Sequence, residues 1–130
     1  MFILDTNTLI YFFKGMGSVG PRLLSIPPSE IAVPSIVVYE LEVGLAKSNA
    51  PAKRREQLDR LLNLVQVLPF DSHAAKKTAE VRVTLETAGT PIGPHDVQIA
   101  GIALVNDGIL VTHNLSEFSR VSGLRLEDWF

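Results

Sequence analysis

The sequence predicts an α/β fold with a mainly parallel sheet of four to five strands, covered on both faces by helices. Three observations predict it. Four short apolar runs have strand length, the segments between them carry apolar residues at helical spacing, and 46% hydrophobic residues in a 130-residue chain can bury a sizeable core. Strands separated by helices pair in parallel through right-handed crossovers. One domain, residues 1–130, is expected, with no internal repeat or linker.

The first run, Met1 to Leu4, reads as a buried strand, and Asp5-Thr6-Asn7 supplies capping residues for a helix through Leu9, Ile10 and Phe13. Three glycines between Lys14 and Gly20 mark a loop or broken helix, followed by a short helix from Pro21 to Ile26 that Pro27-Pro28 ends. Ile31-Ala32-Val33 is the second strand, and Pro34-Ser35 leads into a helix reaching about Lys47. That helix is apolar nearly all round, so the core or a dimer interface must cover it. Pro51 suits the first turn of the next helix, where Leu58, Leu61, Leu62 and Val65 recur at helical spacing. Lys53, Arg54, Arg55 and Arg60 fill its other positions and read as a solvated face. Val65 to Leu68 is the third strand. Asp71-Ser72 caps a helix with the stripe Ala74, Thr78, Val81 and Leu85, stopped by Gly89. Pro91-Ile92-Gly93-Pro94 is a rigid loop before a helix from His95 to about Asn106. Asp107-Gly108 turns the chain into the fourth strand, Ile109 to Thr112, and Leu124 to Leu126 adds a short edge strand.

Composition removes several chemistries. The chain has no cysteine, which excludes disulfides, thiolate metal sites and a cysteine nucleophile, and suits a reducing cytoplasm. The apolar start has no basic region and is interrupted by Asp5 and Asn7, and the longest uncharged stretches fall short of a membrane span, so a soluble protein is expected. A net charge of −2 gives no global attraction to nucleic acid; such binding needs a local basic patch or bound cations. No Gly-x-Ser-x-Gly elbow or phosphate-binding Gly-x-x-x-x-Gly-Lys loop is present.

Four regions bring acids toward one sheet edge. Asp5 follows the first strand, at the carboxyl edge where open parallel sheets bind ligands; the plainer alternative is that it only caps the helix. Asp96 lies in the first turn of its helix on the face shared by Ile99, Ala100, Ala103 and Leu104, where an ionised carboxylate needs a cation or donors. Glu40 and Glu42 are separated by about 200° around a helix, so only one can face the pocket. Gly44, one turn beyond Glu40 and able to permit close backbone approach, favours Glu40. Thr112 ends a strand as Asp5 does, carrying Asn114 and Glu117 toward the same edge. Either could enter the pocket, or Asn114 and Glu117 could form a variant capping box. Carboxylates sharing a pocket raise one another's pKa unless divalent cations neutralise them, and an oxygen-only donor set suits Mg²⁺ or Mn²⁺. Such a site hydrolyses phosphodiesters with metal-activated water and needs no side-chain nucleophile.

Taken together, these regions resemble PIN-domain ribonucleases, and more narrowly VapC-type toxins of type II toxin–antitoxin pairs. The resemblance spans essentially the whole chain. It rests on Leu4-Asp5-Thr6-Asn7, Glu40-Leu41 with Gly44, Ile92-Gly93-Pro94-His95-Asp96 running into Ile99-Ala100-Gly101, Val111-Thr112-His113-Asn114, Glu117-Phe118 and Gly123 to Trp129. It implies a PIN-like three-layer α/β/α fold and a metal-binding acidic core of Asp5, Glu40 and Asp96, with Glu117 as fourth acid. Thr6, Asn114 and Thr112 are supporting polar residues, and Thr6 or Asn7 is left to cap the first helix. The Gly93-Pro94-x-Asp96 and C-terminal motifs are most similar to the subgroup that cuts initiator tRNA in its anticodon loop. Membership further implies Mg²⁺ with Mn²⁺ able to substitute, a homodimer, a VapB-type antitoxin and a cytoplasmic location. His95 and His113 fall at variable positions; His95 is read as a loop residue without a catalytic role.

Other readings are a PIN nuclease acting on another tRNA, rRNA or mRNA, a catalytically idle interaction module, and a phosphoacceptor signalling domain using Asp71. The last lacks a lysine after Lys77 to hold a phosphoryl group and leaves Glu40 and Asp96 unexplained.

Overall fold

The computed structural model describes residues 1–130. A five-stranded, wholly parallel sheet runs in the order β3-β2-β1-β4-β5. Its strands are β1 (Phe2–Leu4), β2 (Ile31–Pro34), β3 (Gln66–Leu68), β4 (Ile109–Val111) and β5 (Arg125–Glu127). Central strands are buried outright: Ile3, Leu4, Ala32, Val33, Leu110 and Val111 have no solvent contact. That explains why they read as continuous apolar runs rather than alternating ones. The short edge strands leave little unpaired backbone.

Helices α1 (Thr6–Lys14) and α2 (Val19–Leu24) connect β1 to β2, and α3 (Ser35–Ala46) and α4 (Pro51–Leu62) connect β2 to β3. The chain then crosses to the other side of β1 through α5 (Ser72–Thr87) and α6 (Pro94–Val105), and α7 (Leu115–Phe118) joins β4 to β5. Right-handed crossovers travelling in opposite directions cover opposite faces, which produces the three-layer α/β/α arrangement. The reversal of direction occurs between β1 and β4, the place where a crevice opens outside the strand ends.

Boundaries moved by a few residues for local reasons. α2 starts at Val19, ahead of Pro21, because proline in a first turn lacks only an N–H that has no partner within the helix. α6 begins at Pro94 for the same reason, so His95 is helical rather than in the loop. Pro27-Pro28 is more than a break, since Pro28 opens a 3₁₀ turn, Pro28–Glu30. Val65 belongs to neither α4 nor β3 but to the turn between them. Asp71 caps α5 by accepting from Ala74 N–H at 2.9 Å, and Gly89 has φ +72°, as expected.

The close approach assigned to Gly44 is absent, since a Cβ there would meet nothing within 4 Å. Gly101 of α6 fills that part instead: a Cβ would collide with Thr78 Oγ1 and come within 3.0 Å of Thr78 Cβ on α5.

Candidate active site

The register pairs Leu4 with Val111, so Asp5 and Thr112 leave adjacent strands side by side at the crevice. Asp5 is only 5% exposed and is held from three directions. Its N–H donates to Val111 O at 3.2 Å, and its Oδ1 accepts from Thr8 N–H at 2.9 Å. Thr8 Oγ1 in turn donates to Val111 O at 3.1 Å. Burial raises the Asp5 pKa, hydrogen bonds from Thr112 and Thr8 partly offset that rise, and the charge of Glu40 adds to it.

Asp5 is therefore the N-cap of α1, contrary to the expectation that Thr6 or Asn7 would take that place. Its extended backbone, φ −81° and ψ 174°, aims the carboxylate at the first-turn amides, whereas Thr6 and Asn7 are already helical. The two readings of Asp5 are compatible, because one oxygen caps the helix while the same carboxylate borders the crevice.

Thr6 is freed for another partner. Its Oγ1 donates to Glu40 Oε1 at 2.6 Å, fixing α3 against α1, while Glu42 points elsewhere and binds Arg55. Glu40 is thus the pocket acid of the pair. Its other oxygen lies 3.3 Å from His95 Nδ1, and the His95 ring packs edge-on against Tyr39 at 5.6 Å. His95 is thus a helical residue in contact with a pocket acid rather than a loop residue, and its place immediately before Asp96 is the only signal of this in the sequence.

Glu117 is held by two donors: Gly93 N–H at 2.8 Å to Oε1 and Asn114 Nδ2 at 2.5 Å to Oε2. The capping-box alternative is not realised, since Asn114 makes no side-chain cap bond and α7 is a single turn. Asn114 N–H donates instead to Thr112 Oγ1 at 3.0 Å, linking the two supporting residues. Gly93 borders both acids: a Cβ there would be in ordinary contact with Asp96 Oδ2 at 3.5 Å and Glu117 Oε1 at 3.8 Å.

Asp96 records the electrostatic result. Its pKa is pushed up to about 6 by burial first, then by the charges of Glu117, Asp5 and Glu40. No lysine or arginine pairs with any of the four acids. The molecule thus gathers negative charge in a partly dry crevice with no lysine or arginine side chain paired to offset it. As the side chains stand, no three His, Asp or Glu groups close on one point as a finished cage. Mg²⁺ fits such a donor set, because it commonly takes one or two carboxylates and keeps several waters.

Elsewhere, Asp71 follows the edge strand β3, separated by β2 from β1 and from the crevice that the four acids border. The phosphoacceptor reading therefore loses its site. His113 binds Asp128 at 2.9 Å and stacks on Phe130 at 4.4 Å, so it secures the chain's last residues rather than entering the crevice.

The PIN domain family matches residues 2–124. The chain is 38% identical over 128 residues to the tRNA(fMet)-specific endonuclease VapC of Salmonella typhimurium, covering 98% of this chain and 97% of that one. In three dimensions it is similar to VapBC2 from Rickettsia felis bound to a promoter DNA fragment, with TM-score 0.92, 33% identity, and coverage of 99% of this chain and 98% of that one. DNA-bound VapBC from Salmonella typhimurium matches with TM-score 0.92 at 37% identity, over 99% of this chain and 98% of that one. Near full-length agreement in sequence and fold carries one conclusion: the chain belongs to the PIN-domain family, among its VapC members.

Proposed function

We propose that residues 1–130 act as one PIN domain, the toxin of a type II toxin–antitoxin pair, and that it is a Mg²⁺-dependent endoribonuclease for which Mn²⁺ can substitute. Its substrate is initiator tRNA, cut in the anticodon loop, which places its action in the cytoplasm. The observation that carries this reading is the convergence of Asp5, Glu40, Asp96 and Glu117 at the β1/β4 crevice with no lysine or arginine paired to any of them, so that burial first, and the other three charges after it, push Asp96 up to about 6. The tRNA assignment draws on the Salmonella relative and on the Gly93-Pro94-x-Asp96 motif.

Asp5, Glu40, Asp96 and Glu117 are the residues that would hold the ion, and a bound Mg²⁺ supplies polarisation of the phosphate and activation of the attacking water. The chain's own residues do the rest. Thr8 and Thr112 hold Asp5 in place, Thr6 and His95 hold Glu40, and Gly93 with Asn114 holds Glu117. In the balanced reaction, water oxygen bonds to phosphorus, a bridging P–O bond breaks, and the leaving oxygen gains a proton.

A cleft of 520 Å³ between α1, α2 and α4, lined by Phe12, Leu23, Leu24 and Ile26 with Lys53 and Arg60 at its rim, is suited to an amphipathic segment of a VapB-type antitoxin. Tyr39 and Val43, both exposed and one turn apart on α3, fit a homodimer contact on the apolar helix. RNA ends sequenced after induced expression test the activity. A discrete cut in the initiator tRNA anticodon loop, absent with Asp5→Asn, supports the reading; a cut in another RNA corrects the target; no wild-type-specific ends would remove the nuclease assignment.

A further inference from the structure

A second cavity, of 400 Å³, opens between α1, α3 and α4 and shares Glu40 with the acid crevice. Three cations line it: Lys14 from the last turn of α1, Lys47 from the end of α3, and Arg54 from the first turn of α4. None of the three is in an ion pair, although their neighbours are. Arg55 is taken by Glu42 and Asp59, and Arg60 by Glu56. Lys14 and Lys47 also suit the negative ends of their helices, but helix ends do not require three free cations around one cavity beside a catalytic acid.

We propose that this cavity is the subsite for the RNA nucleotide flanking the scissile phosphate, with Lys14, Lys47 and Arg54 contacting backbone phosphates and Ile10 and Phe13 receiving the base or sugar. The proposal rests on the ribonuclease reading and deepens it. An acid crevice in a chain of net charge −2 repels a polyanion, so the strand must be held by local positive charge next to the acids. A volume of 400 Å³ lies in the range of small-ligand sites. Cations around an apolar floor with an aromatic ring are the features that hold single strands without reading their sequence. Sharing Glu40 makes the cavity continuous with the chemistry, which the larger apolar cleft is not. One residue of the basic α4 run, Arg54, thus has a binding role while Arg55 and Arg60 remain in surface ion pairs.

The test measures binding of purified initiator tRNA and of a single-stranded RNA oligonucleotide to full-length Asp96→Asn protein across a KCl series. Adding Lys47→Ala and Arg54→Ala should weaken binding about five- to tenfold near 0.1 M salt and reduce the slope of log K against log[salt] by about 1.4, that is ~0.7 per lost phosphate contact. Lys47→Arg with Arg54→Lys should restore both. Lys76→Ala on α5, which lines no part of the cavity, should leave affinity and slope at the parent values. In the otherwise wild-type enzyme the double alanine variant should raise KM and retain kcat. An unchanged slope and affinity with cleavage intact would overturn the subsite alone, as would loss of antitoxin binding with RNA binding retained. If the parent binds no RNA and the wild type cuts none, the nuclease reading and the subsite fall together.

Discussion

Thr6 Oγ1 donates to Glu40 Oε1 at 2.6 Å across 34 residues of sequence, and this bond sets which way the pocket acid of α3 points. A hydrogen bond to a charged group contributes about 1.5–3 kcal/mol, more than a surface helix contact supplies. Thr6→Val keeps the shape of the side chain but removes the donor. The expected outcome is a fall in kcat/KM of about 10- to 100-fold, with Thr6→Ser near wild type. Steady-state cleavage of an RNA oligonucleotide at several Mg²⁺ concentrations checks it; equal activity of Thr6→Val and wild type would remove Thr6 from the positioning of Glu40.

Asp96 makes the fold sensitive to pH when no cation is bound. Its folded pKa is about 6, above the unfolded value, so the folded state binds the proton more tightly. The stabilisation from protonated Asp96 is full below the unfolded pKa and is lost as pH rises through about 6. At pH 7.5 the metal-free protein should therefore carry a penalty of about 1–2 kcal/mol from this group, after allowing for solvent screening. Asp96→Asn should raise the metal-free melting temperature at pH 7.5 by a few degrees, have little effect at pH 4.5, and abolish the rise produced by Mg²⁺. Melting curves at the two pH values, with EDTA and with Mg²⁺, decide it. A metal-free Asp96→Asn protein less stable than wild type at pH 7.5 would show that the crevice charge is not strained.

The sheet was legible because its strands are buried on both faces and so appear as unbroken apolar runs. The acids were legible because Asp5 sits where a strand meets a helix and Asp96 breaks an otherwise apolar face, whereas Glu40, in the middle of α3, and Glu117, inside α7, gave weaker signals. What sequence could not reveal was which polar group answers which. The competition between Asp5 as cap and Asp5 as site residue disappears once one backbone geometry allows both. Gly44 suggested Glu40 for a reason that does not hold; Thr6 and His95 are the residues that orient it. The helical glycine at a close approach is Gly101, which no local pattern distinguishes from any other small residue on a buried helix. Long-range pairs such as Gly93 with Glu117, 24 positions apart, depend on packing that periodicity does not encode.

Glu117 joins two roles that substitutions can separate. Its oxygens accept from Gly93 N–H and Asn114 Nδ2, and its charge is the largest electrostatic influence on Asp96. Glu117→Gln keeps an acceptor for the Gly93 amide but removes the charge; Glu117→Ala removes both. Both variants should lose Mg²⁺-induced thermal stabilisation, while only Glu117→Ala should also lower metal-free stability, by about 1–2 kcal/mol from the unpaired amide. Denaturant unfolding with and without Mg²⁺ makes the comparison. Wild-type Mg²⁺ response in Glu117→Gln would confine Glu117 to a structural role.

Gly101 and Thr78 give a stability prediction whose sign is informative. Alanine in place of an interior helical glycine ordinarily stabilises by about 0.5–1 kcal/mol. Here the new methyl would meet Thr78 Oγ1 and Cβ, so Gly101→Ala should destabilise by about 1–3 kcal/mol. Thr78 Oγ1 is buried with no hydrogen-bond partner, so Thr78→Ala alone should be neutral within about 1 kcal/mol. Combining the two should recover part of the loss, because Thr78 Cβ remains close. Additive effects in a double-mutant cycle would show that the helices separate freely.

Leu24 separates antitoxin binding from folding and catalysis. It is 79% exposed, yet it lines the apolar cleft with Phe12, Leu23 and Ile26. An exposed leucine adds little to the stability of the isolated chain, so Leu24→Glu should fold and melt as wild type. Against a partner segment in the cleft, the same change would bury an unpaired carboxylate opposite apolar side chains. The expected loss is at least about 2 kcal/mol of binding, roughly 30-fold in affinity. Cleavage of RNA should persist, because the cleft does not include the four acids. Two measurements check the prediction: co-purification with a co-expressed VapB-type antitoxin, and growth after induction of the pair. Leu24→Glu should escape its antitoxin and arrest growth, and the added Asp5→Asn change should restore growth by removing the nuclease. Unimpaired neutralisation of Leu24→Glu would place the antitoxin on another surface.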